Sequence, residues 1–441
     1  MTECLSYLLR FLLGEGNESL APLVSYGDDG SAPLVIEPSG FFSEGVYLTE
    51  KSLPVPPLPE LEGVPVLFGT PEVREENGRV FLGADLFASA FFLLSRYEEC
   101  VRRQVRDRHG RFPGRESLPY RAGFLRRPVA EEYGALLRRL LRRAGKAVPE
   151  PAPGFRHVWL THDVDEIWTW DNYYRALRSM ARRVLARRPE KLRPLLSVRN
   201  YRKHDPVYTF PWLMEQDGAV RAALGGDRCT PVYFFMGTER RGSHDKGYAA
   251  NQERTKALLR ELSGGGREIG YHVSYAASLD KSQVSPEVKR VGELAERPVT
   301  LVRSHYLASR EPEDFYSLLD AGLTDDFTMG YADEAGFRLG TCRPVRWMDP
   351  VKRTVTPLTL HPMTVMECTL DSSHYMNIRD EEEAFAVVEE LLRAIHTLGG
   401  EAVLLWHSPA VDPREGGYQR SLYRRTLELL ARLDRRGVPE S

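Results

Sequence analysis

Cysteine is scarce and scattered in this chain. Cys4, Cys100, Cys229, Cys342 and Cys368 are odd in number and form no CxxC pair, which argues against a disulfide framework and a thiolate zinc site. Excess charge is missing too. Lys and Arg number 60 against 62 Asp and Glu, a net charge of −2, so nothing draws the whole chain to nucleic acid. Long apolar runs are also absent: 86–94 falls well short of the roughly 20 residues that span a bilayer. The N-terminus is apolar at Leu5, Leu8, Leu9, Phe11, Leu12 and Leu13. It has no basic leading region and no small-residue cleavage site, so no signal peptide is read and a cytoplasmic protein is expected. No internal repeat or low-complexity tract stands out.

What is present is an ordinary globular composition, 42% hydrophobic and 28% charged over 441 residues, enough for about two or three domains. Its charge is unevenly spread. Residues 175–203 carry many Arg and Lys against Glu190 as their sole acid, with Leu177, Val184, Leu185, Leu192 and Leu195 among them. Such a stretch reads as a solvated helical face, or as a contact for a membrane surface or a phosphate-bearing, lipid-linked substrate. The Arg-rich stretch 102–143 has the same two readings.

Up to about residue 125, Pro/Gly-rich pieces such as 54–59 alternate with short apolar runs. Residues 87–94 predict a buried helix with a polar exit at Ser95, Arg96, Tyr97, Glu98 and Glu99, and 130–144 an amphipathic helix of Leu and Arg. The prolines and glycine of 149–154 read as a linker. The expected division is a smaller α+β domain over 1–150 and a second domain over 155–441. In the second, apolar runs at 158–160, 231–236, 268–272, 300–302 and 402–406 alternate with helix-like stretches at 210–224, 251–262, 313–321 and 380–398. That alternation predicts an α/β domain with a parallel sheet. Its size suits a (β/α) barrel, which gathers its active site at the C-terminal ends of the strands.

Those ends carry ionisable groups. The first run leads into Thr161-His162-Asp163-Val164-Asp165-Glu166. Core packing gives no reason for two carboxylates two residues apart at a strand end. In extended backbone they face one spot, where they repel unless a cation or a shared proton intervenes. The other runs lead into His272, into Arg303-Ser304-His305-Tyr306 and into His407. Imidazole and carboxylate suit zinc or a similar divalent ion, which activates water and polarises a carbonyl. A neighbouring carboxylate can then take the water's proton and a histidine can protonate the leaving group. Arg303 can lock that carboxylate through a bidentate bond.

On these motifs, 155–441 resembles the polysaccharide deacetylase family, carbohydrate esterase family 4. Thr161-His162-Asp163-Val164-Asp165 is similar to its first motif, Arg303-Ser304-His305-Tyr306 to its Arg-x-Pro-Tyr motif and Leu404-Leu405-Trp406-His407 to its Leu-x-x-His motif. The resemblance implies a distorted (β/α)7 barrel. It implies Asp163 as catalytic base, Arg303 as its tether, the Tyr306 backbone N–H as oxyanion donor and His407 as general acid. It implies Asp165 and His272 as metal ligands. The N-terminal part resembles an accessory domain found in a subgroup of these proteins, through Gly83-Ala84-Asp85-Leu86-Phe87 and Leu94-Ser95-Arg96-Tyr97-Glu98-Glu99.

The match departs at Ala276, where the family has its second histidine. His305 is expected to supply the missing ligand from the neighbouring strand end; the alternative is that His305 packs structurally and no metal binds. His361 and His374 are weaker candidates for that ligand. Asp325 or Asp326 is a candidate to orient His407, and His162 and Glu166 to support the first motif. The expected function is removal of an N- or O-acetyl group from a carbohydrate with a divalent metal, zinc first, on a nucleotide- or lipid-linked glycan precursor. The alternatives are another C–N hydrolase and a non-catalytic glycan-binding relative. Oligomeric state is not legible.

Overall fold

The computed structural model describes residues 1–28, 30, 32–169, 205, 207–238, 242–246, 253–414 and 417–436. The basic stretch 175–203 lies outside them. Two sheets carry the architecture. The first has order β1-β2-β6-β5, built from Val24–Tyr26, Leu34–Ile36, Arg79–Ala84 and Gly69–Glu76; a two-stranded ribbon, β3 (Glu60–Leu61) with β4 (Val64–Pro65), lies between in sequence. The helices Thr2–Leu13, Leu86–Leu94 and Val129–Arg143 belong to the same part of the chain. Asp85 caps the second of them, its Oδ1 accepting from Ala88 N–H at 2.9 Å. All nine residues of that helix are buried. The polar exit expected after it is instead buried, because Arg96, Glu98 and Glu99 are paired: Arg338 donates to Glu99 at 2.9 and 2.8 Å, and Arg96 Nε at 3.1 Å.

Among the described residues the second sheet has nine strands in the order β12-β13-β11-β10-β9-β8-β7-β15-β14. They are β7 (His157–Val164), β8 (Cys229–Met236), β9 (Glu268–Val273), β10 (Leu301–Ser304), β11 (Asp325–Asp326), β12 (Val345–Asp349), β13 (Thr354–Leu360), β14 (Met363–Met366) and β15 (Glu401–Leu405). All neighbours pair in parallel except β12 with β13. β7 lies between β8 and β15, which explains its nearly continuous burial. The sheet curls. β13 pairs with β11, and after only His361 and Pro362 the chain continues as β14 against β15. Helices Phe210–Leu224, Glu253–Leu262, Val284–Ala295, Glu381–Leu398 and Gln419–Arg436 accompany it.

The sequence predicts β7, β8, β9, β10 and β15 as strands but not β11, β12, β13 or β14; β12 ends at Asp349, just before Pro350. One apolar cluster is continuous from Leu12, Phe91 and Tyr97 to Val302, Trp347 and Leu360, so the N-terminal part and the second sheet share a core. Among the described residues, no helix is long and apolar enough to cross a membrane.

Candidate metal centre and its pocket

Parallel pairing aligns the strand ends. Arg303 on β10 stands beside His272 on β9, and Leu405 on β15 beside Thr161 on β7. The motifs that follow these positions therefore meet. Asp163, Asp165, His305, Tyr306 and His407 line one pocket of about 650 Å³, with Leu307, Met366, Leu405 and Tyr375 as its less polar wall.

Arg303 is fully buried and donates from Nη1 to Asp163 Oδ1 at 3.0 Å and to Thr161 Oγ1 at 2.6 Å, and from Nε to the Phe327 carbonyl at 3.0 Å. The bond to Asp163 is thus single rather than the expected fork: Nε is committed to Phe327, and Nη2 bonds no described residue. The guanidinium also lies 4.7 Å from the Phe234 ring centre. Burial pushes the Asp163 pKa up, but His272, Arg303 and His407 together outweigh it and hold the carboxyl below its ordinary value.

Asp165 Oδ1 lies 3.2 Å from His272 Nε2 and 3.4 Å from His305 Nε2. His272 Nδ1 is 3.0 Å from the Arg303 carbonyl. A carbonyl can only accept, so Nδ1 carries a proton there and Nε2 is the ring atom turned toward Asp165. His305 Nδ1 likewise faces a carboxylate, Asp245 Oδ1 at 2.9 Å. Both rings are therefore oriented through their far nitrogens, as metal-ligating histidines usually are. Asp165 Oδ1 and His272 Nε2 are buried and lack a hydrogen-bond partner among the described residues. These two atoms face each other across 3.2 Å. Ligands about 2.0–2.1 Å from a tetrahedral zinc ion stand about 3.3 Å apart, so the donor set fits such an ion. Burial raises the Asp165 pKa, yet His305, His272 and His407 hold it well below the usual range. Burial lowers that of His305, and Asp165 with Asp245 raises it to about 9.

His407 completes the pocket. Its Nδ1 is 2.6 Å from Glu367 Oε1, and its Nε2 points at Asp163 Oδ2 and Asp165 Oδ2, 3.9 and 3.8 Å away. Burial disfavours the imidazolium, but Glu367, with Cys368 beside it, raises the pKa well above the ordinary value. Tyr306 adopts φ 58° and ψ 15°, in the left-handed region. Its ring lies 4.4 Å from that of His305.

The other candidates fall elsewhere. His361 sits between Asp325 at 3.1 Å and Glu401 at 2.8 Å, and Asp326 accepts from Thr328. Neither aspartate orients His407; Glu367 does, from the helix Glu367–Asp371. His374 is exposed. His162 is bound to Asp217 and the Trp406 carbonyl below the site, and Glu166 to Lys246. Glu367 and Asp245 were missed because neither adjoins a motif in sequence. The run Met363-Thr364-Val365-Met366 ending in Glu367 was the available signal for the first, a strand ending in a carboxylate like the others.

A family of unknown function, DUF7033, matches residues 5–146. No curated protein matches the chain. Among solved structures it is similar to a candidate polysaccharide deacetylase from Mycobacterium smegmatis, with 14% identity over 65% of this chain and 89% of that one and a TM-score of 0.39. It is similar as well to a CE4 family pseudoenzyme from Bacillus anthracis, with 13% identity over 66% and 64% of the two chains and a TM-score of 0.29. These are likenesses only; the chemistry rests on the site's own atoms.

Proposed function

We propose that the chain is a metal-dependent hydrolase that removes acetyl groups from a carbohydrate at the pocket between β7, β9, β10 and β15. The observation that carries this reading is the division of one site into three parts: a buried Asp163 tethered by Arg303, an Asp165–His272–His305 cluster in which Asp165 Oδ1 and His272 Nε2 lack hydrogen-bond partners among the described residues, and a His407 kept cationic by Glu367. Asp165, His272 and His305 would hold the ion. When bound, it supplies a water of lowered pKa and polarises the acetyl carbonyl.

Asp163 takes the proton of the attacking water, and Arg303 keeps the carboxylate ionised and turned toward it. The Tyr306 N–H, in its left-handed turn, donates to the oxygen on which negative charge develops. His407 Nε2–H protonates the leaving nitrogen or oxygen as its bond to the acetyl carbon breaks, and acetate and the deacetylated sugar depart. Glu367 holds the acid in place through Nδ1. The curled sheet is read as a distorted (β/α)7 barrel, a reading supported by the run 354–366 that bridges β11 and β15. The division near residue 150 and a cytoplasmic, phosphate-bearing precursor belong to the same proposal, the latter supported by the basic composition of 175–203.

The test is acetate release from acetylated chitooligosaccharides and acetylated sugar nucleotides by the zinc-loaded chain. Release should depend on the ion and fall at least about a hundredfold in Asp163→Asn. Stoichiometric zinc with no release from any acetylated sugar would instead favour the glycan-binding alternative.

A further inference from the structure

The chemistry above leaves residues 1–143 unused, yet they reach the site. Arg111 donates from Nη1 to the Tyr306 carbonyl at 2.7 Å. Its Nε is held by Asp107 at 2.8 Å and its Nη2 reaches Tyr375 Oη at 3.2 Å. The side chain is buried and lines the same pocket as Asp163 and His407. Three residues beyond Tyr306, Arg96 donates to the Ser309 hydroxyl at 2.9 Å and to its carbonyl at 3.0 Å. Between these anchors Tyr306 and Leu307 stand at φ 58° and 53°, a conformation that non-glycine residues keep only where their surroundings over-determine it. His109 adds its ring against that of Tyr306, 4.8 Å between centres.

We propose that the N-terminal segment is a built-in positioning element of the active site, with Arg111 and Arg96 holding the 305–309 turn so that the Tyr306 N–H faces the reacting carbonyl. The catalytic consequence rests on the oxyanion role given to that N–H above; the grip on the turn does not. β10 ends at Ser304, so the strand ladder by itself does not dictate the two left-handed residues that follow. Arg111 fixes the peptide after Tyr306, and Arg96 fixes the far end of the turn. An arginine suits the first task because its planar fork serves Asp107, Tyr306 and Tyr375 at once, which a lysine ammonium cannot do. The motif Leu94-Ser95-Arg96-Tyr97-Glu98-Glu99 thereby acquires a role. Its Arg96 and Glu99 tie the N-terminal part to Ser309 and Arg338 on either side of β11.

The test is hydrogen–deuterium exchange of the 305–309 amides in the full-length chain, wild type against Arg111→Ala, with and without added guanidinium. Exchange should quicken by at least about tenfold in the variant and slow again with guanidinium. Where turnover is measurable, kcat should fall toward about a hundredfold with KM little changed, and guanidinium should restore part of it. Wild-type exchange at 305–309 in the variant would overturn the proposal whatever the activity, and so would a quickening that guanidinium leaves untouched. Should Arg111→Ala not fold, Arg111→Lys keeps the charge beside Asp107 without the three-way contact and should still quicken exchange; unchanged exchange there also overturns it. Failure of the hydrolase reading shows separately, as zinc-loaded wild type that releases no acetate.

Discussion

Asp245 accepts the Nδ1–H of His305 at 2.9 Å, and the same carboxylate accepts the backbone N–H groups of Tyr275 at 2.8 Å and Ala276 at 3.1 Å. Ala276 is the position where the resembled family has a histidine. Here its backbone anchors the carboxylate that aims a histidine from the next strand end. His305→Ala should therefore lose most zinc binding, and Asp245→Asn should weaken it by about 10–100-fold. Calorimetric titration with zinc decides it; wild-type affinity in His305→Ala would remove His305 from the ligand set.

Glu367 governs the pH range of the proposed acid. Since it raises the His407 pKa and an acid must be protonated to act, activity should disappear as pH rises through that pKa. Glu367→Gln lowers the pKa, so the alkaline limb of the kcat profile should move to lower pH. An alkaline limb that stays where it was would show that His407 is not the group titrating.

His361 makes a stability prediction with a definite sign. Burial pushes its pKa down, but the bonds to Asp325 and Glu401 raise it to about 9, above the ordinary 6.5. The folded state thus holds a proton that the unfolded state releases. The resulting stabilisation, on the order of 3 kcal/mol, is full below about pH 6.5 and lost as pH rises through about 9. The stability difference between wild type and His361→Gln, from urea unfolding, should shrink over that window. A gap independent of pH refutes the assignment.

Glu99 lies buried between Arg96 and Arg338. Burial would raise its pKa, yet the two guanidiniums, Arg338 first, hold it near about 2. Glu99→Ala leaves two cations buried without their partner and should cost about 3–5 kcal/mol. Denaturant unfolding measures this, and a loss below about 1 kcal/mol would mean that solvent reaches the pair.

Much of the second sheet was legible because buried parallel strands are short, apolar and β-branched, and those at 158–160, 231–236, 268–272 and 402–406 all reappear in it. The motif residues Asp163, Asp165, His272, Arg303, His305 and His407 were legible because ionisable groups at the end of a core strand are costly unless used. Their partners were not. Glu367 and Asp245 reach the site from a short helix and a loop with no periodicity of their own, and the polar exit at Glu99 gave no sign of being a buried ion network, since sequence does not reveal a distant Arg338.

Sequence by itself determined which residue types stand at the strand ends, because local pattern and chemistry are written one residue at a time. Only the tertiary structure decided which of them meet. Parallel register sets His272 beside Arg303, Asp245 turns His305 toward Asp165, and Arg111 crosses from the N-terminal part to Tyr306. Hydrogen-bond direction and burial depend on atoms far apart in the chain, and folding alone brings them within reach.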